Sequence, residues 1–284
     1  MRELIAFYLD AGVESVVGEE PVNRFADRPI ASLLATEQTA GHLGPPTQPS
    51  FSAALPSPAN LRKGTGKGSA DIPRTNPAAA SVVSPEAAVM AAREAARNAQ
   101  TLDELRRLLN NFEGCMLRAT ATQLVFAAGN PKGRVMFVGE APGRDEDVAG
   151  EPFVGRSGKL LDLMLQAIGL DRTKAYIANI VPWRPPGNRT PTPHETAICL
   201  PFIRRQIELA DPDFLVCLGQ PSTQTLLGTK EGITRTRGRW FAFHTGTREI
   251  RAIATYHPAF LLRSPLQKRL VWRDFLALKR ALAG

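Results

Sequence analysis

The chain has 284 residues, 43% of them apolar, with a formal net charge of +8 and a pI near 9.8. That is enough apolar material for one large domain or two small ones, and the charge points to a polyanion, either nucleic acid or an anionic membrane surface. No apolar run approaches the ~20 residues of a membrane span, and three cysteines (Cys115, Cys199 and Cys217) do not make a disulfide framework.

Leu4, Ile5, Tyr8 and Leu9 fall at helical spacing, so residues 1–30 are expected to hold a short helical segment. The opening MRELIAFYLDAGVESVV carries acids and no small-residue cleavage site, which argues against a secretory signal and for a cytoplasmic protein. Residues 31–83 are rich in Pro, Ala, Gly, Ser and Thr. Stretches such as GPPTQPS and RKGTGKGSADIPRTNP cannot bury enough apolar area to offset chain entropy, so a disordered linker is expected there. Order resumes at Ser84-Pro85-Glu86, an N-cap with proline in the first helical position, and a single domain is expected over 84–284. Thr101-x-x-Glu104 is a second start, a capping box before LRRLL.

Strands and helices then alternate. RVMFVG (134–139), AYIANIV (175–181), FLVCLG (214–219) and IRAIATYH (250–257) are predicted strands. Predicted helices cover SGKLLDLMLQAIGL, the segment opened by Thr192-Pro193-His194-Glu195 and running through Leu200, Ile203 and Ile207, PSTQTLLG, and a last one from Ser264-Pro265. Near-continuous apolar strands alternating with helices imply an α/β protein with a parallel sheet covered on both faces.

Ligands of open parallel sheets bind beyond the carboxyl ends of the strands. Here those ends lead into GEAPGRDED, into PWRPPGNR after Asn179, into GQPS, and into His257-Pro258-Ala259. Chance would scatter this chemistry over both edges. GEAPG alone is a weak signal: it is neither GxxxxGK[ST] nor GxGxxG, and His194-Glu195 lacks the second histidine of a zinc-protease motif. Charge is also uneven, because residues 230–284 hold twelve Lys/Arg and three Asp/Glu, a net of +9.

Together these residues resemble family 4 of the uracil-DNA glycosylases. The motifs are Gly139-Glu140-Ala141-Pro142-Gly143, then Glu146-Asp147, then Gly150-Glu151-Pro152-Phe153-Val154-Gly155, followed by RPPGNRTPTP (184–193) and HPAFLLR (257–263). The match runs collinearly over roughly 100–284. It implies a three-layer α/β/α sandwich with a four-stranded parallel sheet, and hydrolysis of the N-glycosidic bond of deoxyuridine in DNA. By resemblance, His257 and the backbone N–H groups of the first motif stabilise the uracil anion. Phe153 stacks on the flipped base, Asn179 reads its edge, and Gly139, Ala141 and Gly143 let backbone donors approach it. Glu140 is the first candidate for the acid that polarises water or stabilises the cationic sugar, with Glu146 and Asp147 behind it. Leu261, Leu262 and Arg263 are expected to enter the minor groove, and the +9 region to bind phosphates.

The resemblance also implies a [4Fe–4S] cluster on four cysteines, and here the pattern is broken. Cys115 and Cys199 match two of the ligands, while Phe112 and Trp183 stand at the other two. Two thiolates do not complete the usual ligand set. No cofactor or metal is therefore expected, with Phe112 and Trp183 packed together near the two cysteines and Cys217 packed as a small apolar group. The expected partners are uracil-containing DNA and a protein docking on the N-terminal segment, with no membrane, for a monomer associated with the nucleoid. The alternative is a catalytically inactive DNA-binding or scaffolding protein on the same fold. Relatives that attack the sugar with their own histidine carry it after the second strand, and PWRPPGNRTPTP has none.

Overall fold

A computed structural model describes residues 85–284, so the segments expected over 1–30 and 31–83 and the Ser84 cap lie outside the described residues. The strands are β1 (Ala128–Gly129), β2 (Val135–Gly139), β3 (Ala175–Asn179), β4 (Phe214–Leu218), β5 (Trp240–His244) and β6 (Glu249–Thr255). They form one sheet in the order β1-β3-β2-β4-β6-β5. The four predicted strands are its parallel centre, and β1 and β5 add antiparallel edges on β3 and β6. The expected four-stranded sheet is thus widened to six. Two-residue β1 is too short to carry a periodic signal, and WFAFH of β5 is only half buried.

Every residue of β2, β3 and β4 is buried, which explains their continuous apolar text. Alternate side chains serve opposite faces. Met136, Val138, Tyr176, Ala178, Leu215 and Cys217 join one core. Val135, Phe137, Ala175, Ile177, Phe214, Val216 and Leu218 join the other.

The first core is covered by α1 (Pro85–Asn98), α2 (Leu102–Asn111), the single turn α3 (Leu117–Thr120) and α6 (Pro193–Ala210). Ala88, Ala92 and Ala96 recur every fourth residue on α1, a small-residue stripe that lets it pack closely on α6. Thr101 caps α2 by accepting from the Glu104 N–H at 3.1 Å, but Glu104 reaches back to the Gln100 N–H at 2.7 Å rather than to Thr101. At the predicted start of α6 a full capping box forms: Thr192 accepts from the Glu195 N–H at 3.2 Å and Glu195 from the Thr192 N–H at 2.7 Å.

Between β2 and β3 come α4 (Arg144–Ala149) and α5 (Arg156–Ala167), and after β4 come α7 (Gln220–Leu227) and α8 (Ile233–Thr236). The second core is covered by α5, α9 (Pro258–Arg263) and α10 (Lys268–Ala283). The last helix starts later than predicted: Pro265–Gln267 makes a 3-10 turn, and α10 follows. Thr255, at the end of β6, donates to Asp274 of α10 at 2.7 Å, and Arg237 donates to the same carboxylate and to the Leu270 carbonyl. That buried pair fixes the strand end two residues before His257.

Candidate active site

The chain leaves β2 toward β3 on one side and returns to β4 on the other, so the order reverses between β2 and β4. The carboxyl edge at that reversal is where an open α/β sheet leaves a crevice. A cavity of about 700 Å³ sits there, lined among others by Glu140, Phe153, Asn179, Gly219 and His257. Four of the predicted site side chains therefore meet in one place, each delivered by a different segment of the chain.

Gly139 ends β2 opposite Asn179 of β3. A Cβ there would lie 2.4 Å from Asn179 Oδ1 and 2.7 Å from Phe153 Cζ. The glycine is required because two site side chains occupy its side-chain space, a different reason from the approach of backbone donors to a base. The Glu140 carbonyl accepts from the Val181 N–H at 3.0 Å, which extends the β2–β3 pairing past the strand end and holds Glu140 at the cavity wall. Burial raises the Glu140 pKa above its ordinary value. Glu140 Oε1 and Asn179 Oδ1 are buried without a hydrogen-bond partner in the protein. Unpaired buried acceptors are rare in a folded chain and mark positions kept for a ligand or solvent. Ala141 also lines the cavity and packs against the first core.

The other two candidate acids, Glu146 and Asp147, are engaged by hydrogen bonds within the protein. Glu146 accepts from the N–H groups of Gly143 at 3.1 Å, Val154 at 3.1 Å and Gly155 at 3.0 Å. It ties the two ends of the 143–155 loop together, and Gly143 is needed because a Cβ there would lie 2.8 Å from Glu146 Oε2. Asp147, expected among the catalytic groups, is not at the cavity. Its two oxygens accept from the Thr122 N–H and Oγ1, both at 2.8 Å, and it is 3% exposed. One helical residue after Glu146, its side chain is turned by about 100° away from that of Glu146, toward the 121–124 segment.

Phe153 adopts φ +57°, a left-handed conformation that is uncommon for a large side chain. Two features impose it. The Arg172 guanidinium donates to the carbonyls of Pro152 and Phe153 while paired with Asp162. Gly158 lets α5 come so close that a Cβ there would lie 1.7 Å from the Phe153 carbonyl oxygen. The Phe153 ring then stacks on His257, with centroids 5.4 Å apart at 29°.

His257 caps α9, its Nδ1 accepting from the Ala259 N–H at 3.1 Å. Burial, with a smaller contribution from Arg263, lowers its pKa to about 4. The ring is therefore neutral at physiological pH with its proton on Nε2, a fixed donor. Gly219, at φ +92°, leaves room for it, since a Cβ there would lie 3.1 Å from the His257 Cβ.

The three residues expected at the minor groove separate. Leu261 is 1% exposed and belongs to the second core, so in the free protein it does not stand at the surface. On a one-and-a-half-turn helix one face must pack, and Leu261 is on it. Leu262 and Arg263 are exposed, and Arg263 lines the cavity. Leu266, on the 3-10 turn, is 83% exposed. Its signal in the sequence is an apolar residue directly after Ser264-Pro265, where no helical face exists to bury it. Ser157, Gln220, Tyr256 and Phe260 also line the cavity, and sequence reasoning gave them no role. Arg189, from the RPPGNRTPTP stretch, reaches the cavity while its guanidinium clamps Glu195 at 2.8 and 2.6 Å.

At the broken cysteine pattern, Cys115 and Cys199 are buried free thiols, and the neighbouring Cys115 together with burial raises the Cys199 pKa well above its ordinary value. Trp183 is 2% exposed in the first core, and Phe112 packs against that core. The ring that Phe112 meets is Phe202, edge-on at 5.1 Å, one turn after Cys199 on α6. Two thiols and two aromatic side chains do not fit a four-thiolate cluster. Among the described residues no group of three or more His, Cys, Asp or Glu could hold a metal ion. Burial pushes the Cys217 thiol up to about 12, consistent with its expected role as a small apolar group. No helix among the described residues is long and apolar enough to cross a membrane.

The sequence profile of the uracil DNA glycosylase superfamily matches residues 126–276. The chain is 41% identical over 180 residues to a type-4 uracil-DNA glycosylase of Archaeoglobus fulgidus, covering 62% of this chain and 90% of the relative. It is 44% identical over 163 residues to one from Thermotoga maritima, covering 56% and 83%. It is 38% identical over 180 residues to one from Sulfurisphaera tokodaii, covering 62% and 82%. With the sheet order, the carboxyl-edge cavity and the GEAPG and HPAFLLR motifs in place, the chain belongs to the uracil DNA glycosylase superfamily and, within it, to family 4.

Proposed function

We infer that this chain is a DNA-repair glycosylase that hydrolyses the N-glycosidic bond of deoxyuridine, releasing uracil and leaving an abasic site. The observation that carries the reading is the convergence of Glu140, Phe153, Asn179 and a neutral His257 on one cavity at the carboxyl edge. A base inside a duplex is out of reach, so the nucleotide is flipped into this cavity. Asn179, with its unpaired oxygen, takes the polar edge of the base, and Phe153 offers a ring face worth ~1–3 kcal/mol of stacking.

Bond cleavage leaves negative charge on uracil and positive charge on the sugar. The Nε2–H of His257 donates to the uracil oxygen that gains charge; a neutral donor serves here because no proton has to be transferred. Glu140, when ionised, faces the cationic sugar and polarises the attacking water. Arg263 lines the cavity and its neighbour Leu262 is exposed, and both are taken to meet the DNA that must pass there.

An inactive DNA-binding or scaffolding protein would have no reason to keep two buried acceptors unpaired and His257 in one tautomer. The test is a duplex with a single labelled deoxyuridine, treated with alkali after incubation. Strand breaks at uracil and none at thymine or cytosine are expected; binding without breaks would overturn the reading. We further infer that the chain holds no iron–sulfur cluster, acts as a monomer on uracil-containing DNA and uses its N-terminal segment to dock a protein partner. Iron analysis after anaerobic purification tests the first of these, and about four irons per chain would sink it.

A further inference from the structure

Behind the main cavity lies a second space of about 40 Å³, walled by the chain after β3 at Ile180 and Val181, by Pro191, by Thr196 on α6 and by Thr225 on α7. Glu140 and Thr190 line both spaces, so Glu140 stands between them. One water needs ~10–15 Å³ of such volume together with two to four polar partners. We propose that this second cavity is a solvent site serving Glu140, and that Thr196 and Thr225 are positioning residues for the glycosylase reaction.

Glu140 has one buried oxygen, Oε1, with no donor from the protein. Glu140 is the one ionisable residue lining this small space, and the residues there that carry hydroxyls are Thr190, Thr196 and Thr225. A threonine hydroxyl both donates and accepts. Water held by two of them donates its own hydrogen to Oε1 and leaves the other carboxylate oxygen to the main cavity. There the charged and titratable neighbours are Glu146, Arg189, Tyr256, His257 and Arg263. Glu146 is consumed by three backbone N–H groups and Arg189 by Glu195, so neither supplies the missing donor. Donors to the charged form of a carboxylate favour ionisation. Solvent behind Glu140 therefore opposes the burial that raises its pKa and keeps it charged when the base is cleaved.

The inference rests on Glu140 acting as an ionised group in catalysis, and the experiment separates the two. Single-turnover cleavage of uracil-containing duplex is followed from acid to neutral pH for the full chain, for Thr196→Val with Thr225→Val, for the two Thr→Ser changes, and for Glu140→Gln. The valine pair is expected to move the acid limb upward by about one pH unit, with DNA affinity unchanged and the serine pair restoring the limb. A valine pair with the wild-type limb overturns the solvent site, even where Glu140→Gln abolishes cleavage. Glu140→Gln with wild-type cleavage overturns the catalytic reading and this inference with it. Should the valine pair not fold, a crystal structure of the native protein decides. An ordered solvent peak within hydrogen-bond distance of Oε1 and a threonine hydroxyl supports the site, and its absence rejects it.

Discussion

The cavity at the carboxyl edge and the core around Cys115, Cys199 and Trp183 present opposite physical signatures. The first holds a strained Phe153, two unpaired buried oxygens and a histidine kept neutral. The second is closed, apolar and satisfied, with a tryptophan and a phenylalanine at positions where the resemblance implies cysteine. Chemistry that acts on a substrate demands particular atoms and leaves them unsatisfied in the free protein. The second region has the character of an ordinary close-packed interior, where volume and fit count for more than particular polar atoms.

If that contrast is right, the two regions fail differently. Trp183→Ala should lower stability by ~3–5 kcal/mol, the range for truncating a buried aromatic, while the molecules that remain folded cleave uracil at the wild-type rate. Chemical denaturation alongside single-turnover kinetics would check this, and a large rate loss in folded protein would make the region catalytic after all. His257→Ala should do the reverse, cutting cleavage by ~10²–10³-fold, the loss typical of one such donor, with unfolding nearly unchanged.

A subtler test of the same contrast uses pH. Burial raises the Glu140 pKa, so between its unfolded and folded values the native state binds the extra proton. Stability then falls as pH rises through that window, and at neutral pH the buried charge is a burden on the fold. Glu140→Gln should unfold at higher temperature than wild type at pH 7, and the gap should close as pH drops toward the unfolded carboxylate range. The sign for His257 is opposite: its pKa is lowered to about 4, so its contribution is full above the unfolded value and is lost as pH falls from there through about 4. An unchanged melting temperature for Glu140→Gln at pH 7 would mean that Glu140 is not desolvated in solution.

Much of the fold and site is legible in the sequence, and the reasons differ by element. β2, β3 and β4 announce themselves because both faces are buried and apolar residues run through them almost unbroken, whereas β6 carries the exposed Glu249 and Arg251 at its start. Asn179, Phe153 and His257 are legible through motif context, and the structure brings all three to one cavity. Asp147 is not, because an acid next to Glu146 looks the same in text whether it faces the cavity or braces Thr122. Leu261 and Leu262 are likewise indistinguishable in sequence; which one packs is decided by the rotation of a six-residue helix. Arg172 leaves no trace either, since its role is to hold carbonyls nineteen and twenty residues earlier in the chain.

The +9 carried by residues 230–284 also splits into the two kinds of residue. Arg237 is buried against Asp274, Arg239 pairs with Glu231, and Arg248 pairs with Asp211 and Asp213. Arg251 stacks over Trp240 at 4.2 Å. Arg248 and Arg251 also lie at the amino end of β6, the far edge of the sheet from the cavity. By contrast, Arg263 lines the cavity, and Arg269 is exposed at the start of α10, which runs from the carboxyl edge down to Leu282 beside Arg134. Charge count alone would treat all of these alike. Because a flipped nucleotide requires DNA at the carboxyl edge, the second set is expected to meet phosphates and the first is not. Neutralising Arg263 and Arg269 together should reduce the slope of log K against log salt by ~1–2, about 0.9 for each phosphate left without its cation. Neutralising Arg248 and Arg251 should leave that slope alone and instead lower the unfolding temperature. Equal slopes for both double variants would mean that the C-terminal charge acts as a diffuse field, and the division between the two edges would fall.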